Sequence, residues 1–138
     1  MIDDLMQRIL PITRSMNVLI VDDENPFREA LTMVLKEFFA IVVESKNGRD
    51  AIANFINNPN FYDLIITDLQ MPYLDGIHLI ESILMYKPSQ KIIIVTATKN
   101  EMAENIILEK FIFIQKPFTL ESFMNALCAL ICVQEKSF

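Results

Sequence analysis

Apolar residues along this chain fall into two alternating rhythms. Short apolar runs stand at 17–22 (NVLIVD), 40–45 (AIVVES), 63–68 (DLIITD), 91–96 (KIIIVT) and 111–115 (FIFIQ). Their β-branched character, with little polar alternation, predicts strands covered on both faces. Elsewhere apolar positions return at the period of a helix with one buried side. Residues 26–38 carry Phe27, Ala30, Leu31, Val34, Leu35 and Phe38 on one stripe. Residues 48–57 carry Ala51, Ile52, Phe55 and Ile56, and 75–86 carry Ile77, Leu79, Ile80, Ile83 and Leu84. A weaker helical pattern covers 99–109. A strong one covers 119–133, where Thr119 suits the N-cap and Glu121 the first turn.

Strand and helix alternating in this way imply an α/β protein of three layers, a parallel five-stranded sheet between helices. Right-handed crossovers leave few topologies, and the doubly wound, flavodoxin-like order 2-1-3-4-5 is the one expected. One segment stands outside this scheme. Ile2, Leu5, Met6, Ile9 and Leu10 fall at helical spacing, with Asp3, Asp4, Gln7 and Arg8 on the other side. Residues 1–16 therefore read as an amphipathic N-terminal extension, its helix ended by Pro11, and 17–138 as the main domain. So short a helix is stable only when docked, and otherwise frays. The last helix, FMNALCALICV at 123–133, is apolar almost all round, and one face needs cover beyond the sheet. Ile2, Met6 and Ile9 are expected to cover it near Leu127, Leu130 and Ile131, in the same subunit or across a homodimer.

Composition narrows the class. A chain of 138 residues that is 52% hydrophobic and 22% charged can fill a core. No apolar run approaches the ~18 residues of a membrane span, and MIDDLMQRIL has no secretory pattern. With 18 acidic residues against 12 basic, the net charge of −6 disfavours direct nucleic-acid binding. Cys128 and Cys132 lie one helical turn apart, without a natural disulfide geometry, and read as small core residues of a reduced, cytoplasmic protein. His78, expected mid-helix, has no ligand partners in view. The two glycines, Gly48 and Gly76, both stand at expected helix starts, so no glycine-rich phosphate loop exists.

In a doubly wound sheet, ligands sit at the carboxyl ends of the strands. Here those ends carry Asp22-Asp23-Glu24, Asp68, Thr96 and Lys116. A lone aspartate at such a place is usually a helix cap. Several carboxylates gathered at one edge repel unless a counter-charge joins them. A hard cation, Mg2+, suits Asp22, Asp23 and Asp68, and Lys116 adds a second positive charge. Asp68, the central carboxylate, can act as a nucleophile toward a phosphoryl group.

Four stretches, in order and on the expected elements, resemble the response regulator receiver domain, the phosphoacceptor half of two-component signalling. They are VDDE (21–24), DLQMPYLDG (68–76), VTA (95–97) and QKPF (115–118). The resemblance covers residues 17–133 and implies a CheY-like fold. It implies that Asp68 is the phosphorylation site, Asp23 a direct Mg2+ ligand, Asp22 a ligand through water or hydrogen bonds, and the Gln70 backbone carbonyl the third protein ligand. Thr96 would close on the phosphoryl group with Lys116 as its charge partner, and Phe113 would rotate inward as Thr96 moves. Gln70 and Thr98 fall at positions that tune dephosphorylation, and Pro117 at the family's cis-peptide position. The implied partner is a histidine kinase or phosphotransfer protein, and the implied output is a switch in the face built by 99–109, 111–115 and 119–133. Such a domain is not an enzyme in the ordinary sense, although it assists its own phosphorylation and dephosphorylation. The chain departs from the family pattern in a slightly short Thr96-to-Lys116 spacing, in Glu109-Lys110 before the last strand, and in the extension.

Other classes fit less well. A pseudo-receiver, binding partners without phosphate, would not need the full set of site residues. A phosphatase of the haloacid dehalogenase kind wants a second aspartate where Gln70 stands. A flavin carrier would want hydroxyls where Asp23-Glu24 would repel its phosphate.

Overall fold

The computed structural model describes residues 2–71, 73–97 and 110–135, with side chains from Asp3 to Ile131 within those ranges. Pro72, Thr98 and the helix expected at 99–109 lie outside them. The chain opens with α1 (Ile2–Thr13), followed by β1 (Asn17–Val21), α2 (Asn25–Leu35), β2 (Ile41–Ser45) and α3 (Gly48–Asn57). Then come β3 (Leu64–Thr67), α4 (Gly76–Tyr86), β4 (Lys91–Thr96), β5 (Ile112–Gln115) and α5 (Leu120–Glu135). The sheet runs β2-β1-β3-β4-β5, with every pairing parallel. This is the expected order.

Alternate residues of each central strand feed two separate cores. Val18, Ile20, Leu64, Ile66, Ile93 and Val95 face α1, α2 and α5. Leu19, Val21, Ile65, Ile92 and Ile94 face α3 and α4. Because both sides of β1 and β3 are covered, apolar residues run unbroken along them.

Capping residues set where several helices begin. Asn47 accepts a hydrogen bond from the Asp50 N–H at 2.8 Å, and Asp75 accepts one from the His78 N–H at 2.9 Å. Thr119 Oγ1 accepts from the Ser122 N–H at 3.0 Å, while Ser122 Oγ accepts from the Thr119 N–H at 3.2 Å, a reciprocal box. His78 is thus in the first turn of α4 and not mid-helix as expected. Its Nδ1 lies 2.9 Å from Asp75 Oδ1, which makes it part of the cap.

The extension departs from expectation at its end. Pro11 lies inside α1, which runs on to Thr13. The proline removes one helical N–H, but the Arg14 N–H still reaches the Leu10 carbonyl at 3.1 Å. Packing holds this last turn: Ile9 and Thr13 are fully buried. α1 packs on α5, and Leu5 and Ile9 share one core with Leu127, Cys128 and Ile131. Met6 and Leu130 pack against that core from its margin. The cover for α5 therefore comes from the same subunit. Leu127 and Ile131, expected at a possible interface between copies, are interior residues of one chain. The side chains of Ile2 and Cys132 lie outside the described residues.

Candidate functional site

Asp22 follows β1 directly, Asp68 follows β3, Thr96 ends β4 and Lys116 follows β5. Parallel pairing brings these positions to one edge. The Asp68 N–H donates to the Val21 carbonyl at 3.1 Å, and the Lys116 N–H donates to the Thr96 carbonyl at 2.8 Å. Each strand end is therefore tied to its neighbour through the backbone.

Lys116 Nζ is the hub. It donates to Asp22 Oδ2 at 2.7 Å, Glu24 Oε1 at 2.9 Å and Asp68 Oδ2 at 3.0 Å. The Phe27 ring closes another side, with its centroid 4.2 Å from Nζ. The Lys116–Pro117 peptide is cis. Asp22 Oδ1 accepts the Glu24 N–H at 2.9 Å, a tight turn that faces Glu24 toward the lysine and leaves Asp23 exposed. Asp68 Oδ1 accepts the N–H groups of Leu69 at 2.6 Å and Gln70 at 3.2 Å. Asp68 is thus oriented from both sides, one oxygen on backbone donors and the other on the ammonium.

Neighbouring residues shape this edge. Arg28, buried in α2, donates Nη1 to the Asp22 carbonyl at 2.8 Å and Nε to Glu44 Oε1 of β2 at 3.0 Å. Both glycines serve close approach. A Cβ on Gly76 would collide with the Asp68 carbonyl, and one on Gly48 with the Leu74 carbonyl. They let the loop after Asp68 press against the starts of α3 and α4. Within that loop Tyr73 has φ 70°, a left-handed conformation rare for a bulky residue, and the Arg49 guanidinium lies 5.0 Å from its ring centroid.

The electrostatics follow from burial. Desolvation raises the Asp22 carboxyl above its ordinary value, and the hydrogen bonds from Lys116 and the Glu24 N–H offset this only in part. Burial pulls the Lys116 ammonium down, but its bonds to Asp22, Glu24 and Asp68 more than compensate and hold it above its ordinary value. The lysine is a fixed positive charge at any physiological pH.

A ligand oxygen from each of Asp22, Glu24 and Asp68 lies within 4.8 Å of the others. Hard carboxylate oxygens are the donors Mg2+ prefers, and Lys116 Nζ already stands among them as a built-in cation, so these residues fit a divalent ion. Two further residues contribute to the site. Glu24 joins Asp22 and Asp68 in the trio while Asp23 is exposed beside it, and Arg28 braces the Asp22 backbone. Glu24 was visible as the third acid of an acidic run; nothing in the sequence marked Arg28. Gln70 is exposed and Thr96 fully buried, while Phe113 is partly exposed on β5.

The sequence profile of the response regulator receiver domain matches residues 18–128. The chain belongs to this family, whose members act as phosphoacceptor switches of two-component systems, served by histidine kinases or phosphotransfer proteins. It is 32% identical over 117 residues to the transcriptional regulatory protein FlgR of Helicobacter pylori, covering 81% of this chain and 29% of that one. It is 38% identical over 94 residues to the transcriptional regulatory protein ResD of Bacillus subtilis, covering 68% of this chain and 38% of that one. The chain thus spans well under half the length of these two relatives. The structure of the response regulator TrrA from Thermotoga maritima, in complex with Mg2+-BeF, superposes with a TM-score of 0.75 at 27% identity. It covers 84% of this chain and 99% of that one. Among the described residues no helix is long and apolar enough to cross a membrane.

Proposed function

We propose that Asp68 accepts a phosphoryl group from a histidine kinase or phosphotransfer protein in an Mg2+-dependent step. An Asp68 carboxylate oxygen forms the new P–O bond while the donor's P–N bond breaks and its imidazole leaves. The ion would be held by Asp22 and Asp68, with Glu24, the third acid of the trio, giving way to Asp23 and the Gln70 carbonyl, and would offset charge on the phosphoryl oxygens. Lys116 supplies a second positive charge there, and the Leu69 and Gln70 N–H groups orient the nucleophile. Thr96 and Phe113 would carry the change to the face around β5 and α5. The observation that supports this most is one ammonium meeting buried Asp22 and Asp68 at the carboxyl edge of a parallel sheet. Both relatives are named transcriptional regulators; with a net charge of −6, this chain would leave any nucleic-acid contact to another segment.

The test is incubation with acetyl phosphate and Mg2+, read by intact mass. One phosphoryl group should be added to the native chain and none to Asp68→Asn or to the native chain with chelator. Undiminished labelling of Asp68→Asn overturns the assignment. Absence of labelling in the native chain favours a binding module that works without phosphate.

A further inference from the structure

We propose that Glu24 is a latch for Lys116, holding its ammonium on the carboxylates a divalent ion would use, so that ion binding must displace it. This rests on the phosphoacceptor reading. An ammonium has three N–H donors, and the bonds to Asp22, Glu24 and Asp68 use all of them. Only with Glu24 in place is the lysine fully satisfied.

The three partners are not equivalent. The Asp22 and Asp68 side chains are 3% and 8% exposed, whereas Glu24 is 61% exposed. The buried pair must keep a cation close, because an unpaired buried carboxylate is costly. Glu24 alone can exchange its bond for water at little cost. It is the member that opens. Asp22 Oδ2 and Asp68 Oδ2 cannot serve the ammonium and a divalent ion together without setting two positive charges side by side. Ion binding therefore strips Lys116 of its two buried bonds as the exposed Glu24 bond opens, and frees it for an incoming phosphoryl oxygen. The latch keeps the ion-free site neutralised from within.

The experiment is a double-mutant cycle on Mg2+ affinity, measured by calorimetry on the native chain, Glu24→Gln, Lys116→Met and the double variant. Removing the competing ammonium should tighten Mg2+ binding by about tenfold. In the Lys116→Met background, Glu24→Gln removes only an attractive charge and should weaken binding by about threefold. In the native background, release of the latch should cancel that loss, giving a coupling of at least about threefold. Additive effects overturn the latch. A second measurement needs no lysine variant: NMR of the lysine Nζ groups in the native chain. The Lys116 ammonium protons should exchange slowly without Mg2+ and rapidly at saturation, and rapidly from the start in Glu24→Gln. Slow exchange that persists at saturation overturns the proposal. Labelling of Asp68 with an additive cycle overturns the latch alone. Absence of Mg2+ binding by both the native chain and Lys116→Met overturns the phosphoacceptor reading as well.

Discussion

The carboxyl edge of the sheet and the α1–α5 flank are both buried, yet opposite interactions hold them. At the edge, Asp22 and Asp68 are withdrawn from water, and Lys116, reaching both, supplies the counter-charge that backbone N–H groups alone do not. On the flank, Leu5, Ile9, Leu127 and Ile131 lose only apolar surface, and each contributes on its own. Charges held as a set fail together when one member goes. Apolar contacts fail by degrees. That contrast suits the two regions to different work. The edge can respond to an added charge, whereas the flank simply closes the molecule.

The largest expected effect breaks the edge. Lys116→Met should cost about 4 kcal/mol of stability at neutral pH, because it leaves two buried carboxylates without a counter-charge. Adding Asp22→Asn should recover much of that loss, a non-additivity read by urea denaturation. If the two losses simply add, the charges do not act as a set.

On the flank, Leu127→Ala should cost about 3 kcal/mol through transfer and cavity terms. Combined with a charge change at the edge, such as Glu24→Gln, its cost should be additive within error. Oligomeric state should not change, since Leu127 is interior to one chain. A shift from dimer to monomer in light scattering would contradict the intrachain docking of α1.

The smallest effect concerns a charge that lies outside the set. Asp75 caps α4, and although burial tends to raise its carboxyl, the hydrogen bonds from His78 hold it below its ordinary value of 3.8. The folded value is the lower one, so this contribution is fully present above pH 3.8. It fades as pH falls through the folded value. Asp75→Ala should cost about 1 kcal/mol at neutral pH, and the difference from the native chain should shrink below pH 3.8. A difference in melting temperature that holds constant down to the acid transition would sink this reading.

The strands and most helices could be read from the pattern of apolar residues, because burial on one face or two imposes a period on the sequence. Strand order followed from the handedness of crossovers, and with it the meeting of Asp22, Asp68, Thr96 and Lys116. Those residues stand at strand ends, and in a parallel sheet strand ends share one edge. Three matters depended on contacts between residues distant in sequence. Whether Asp23 or Glu24 meets the lysine was decided by the hydrogen bond from the Glu24 N–H to Asp22 and by the reach of Lys116, 92 residues away. Arg28 became a brace only once β2 brought Glu44 alongside it. Pro11 did not end α1, because burial of Ile9 and Thr13 against the core outweighs one lost helical hydrogen bond. Local period is a property of neighbours along the chain and survives without a fold. Which of two adjacent carboxylates meets a lysine, and which side of an apolar helix is already covered, depends on surfaces that exist only after the chain has folded.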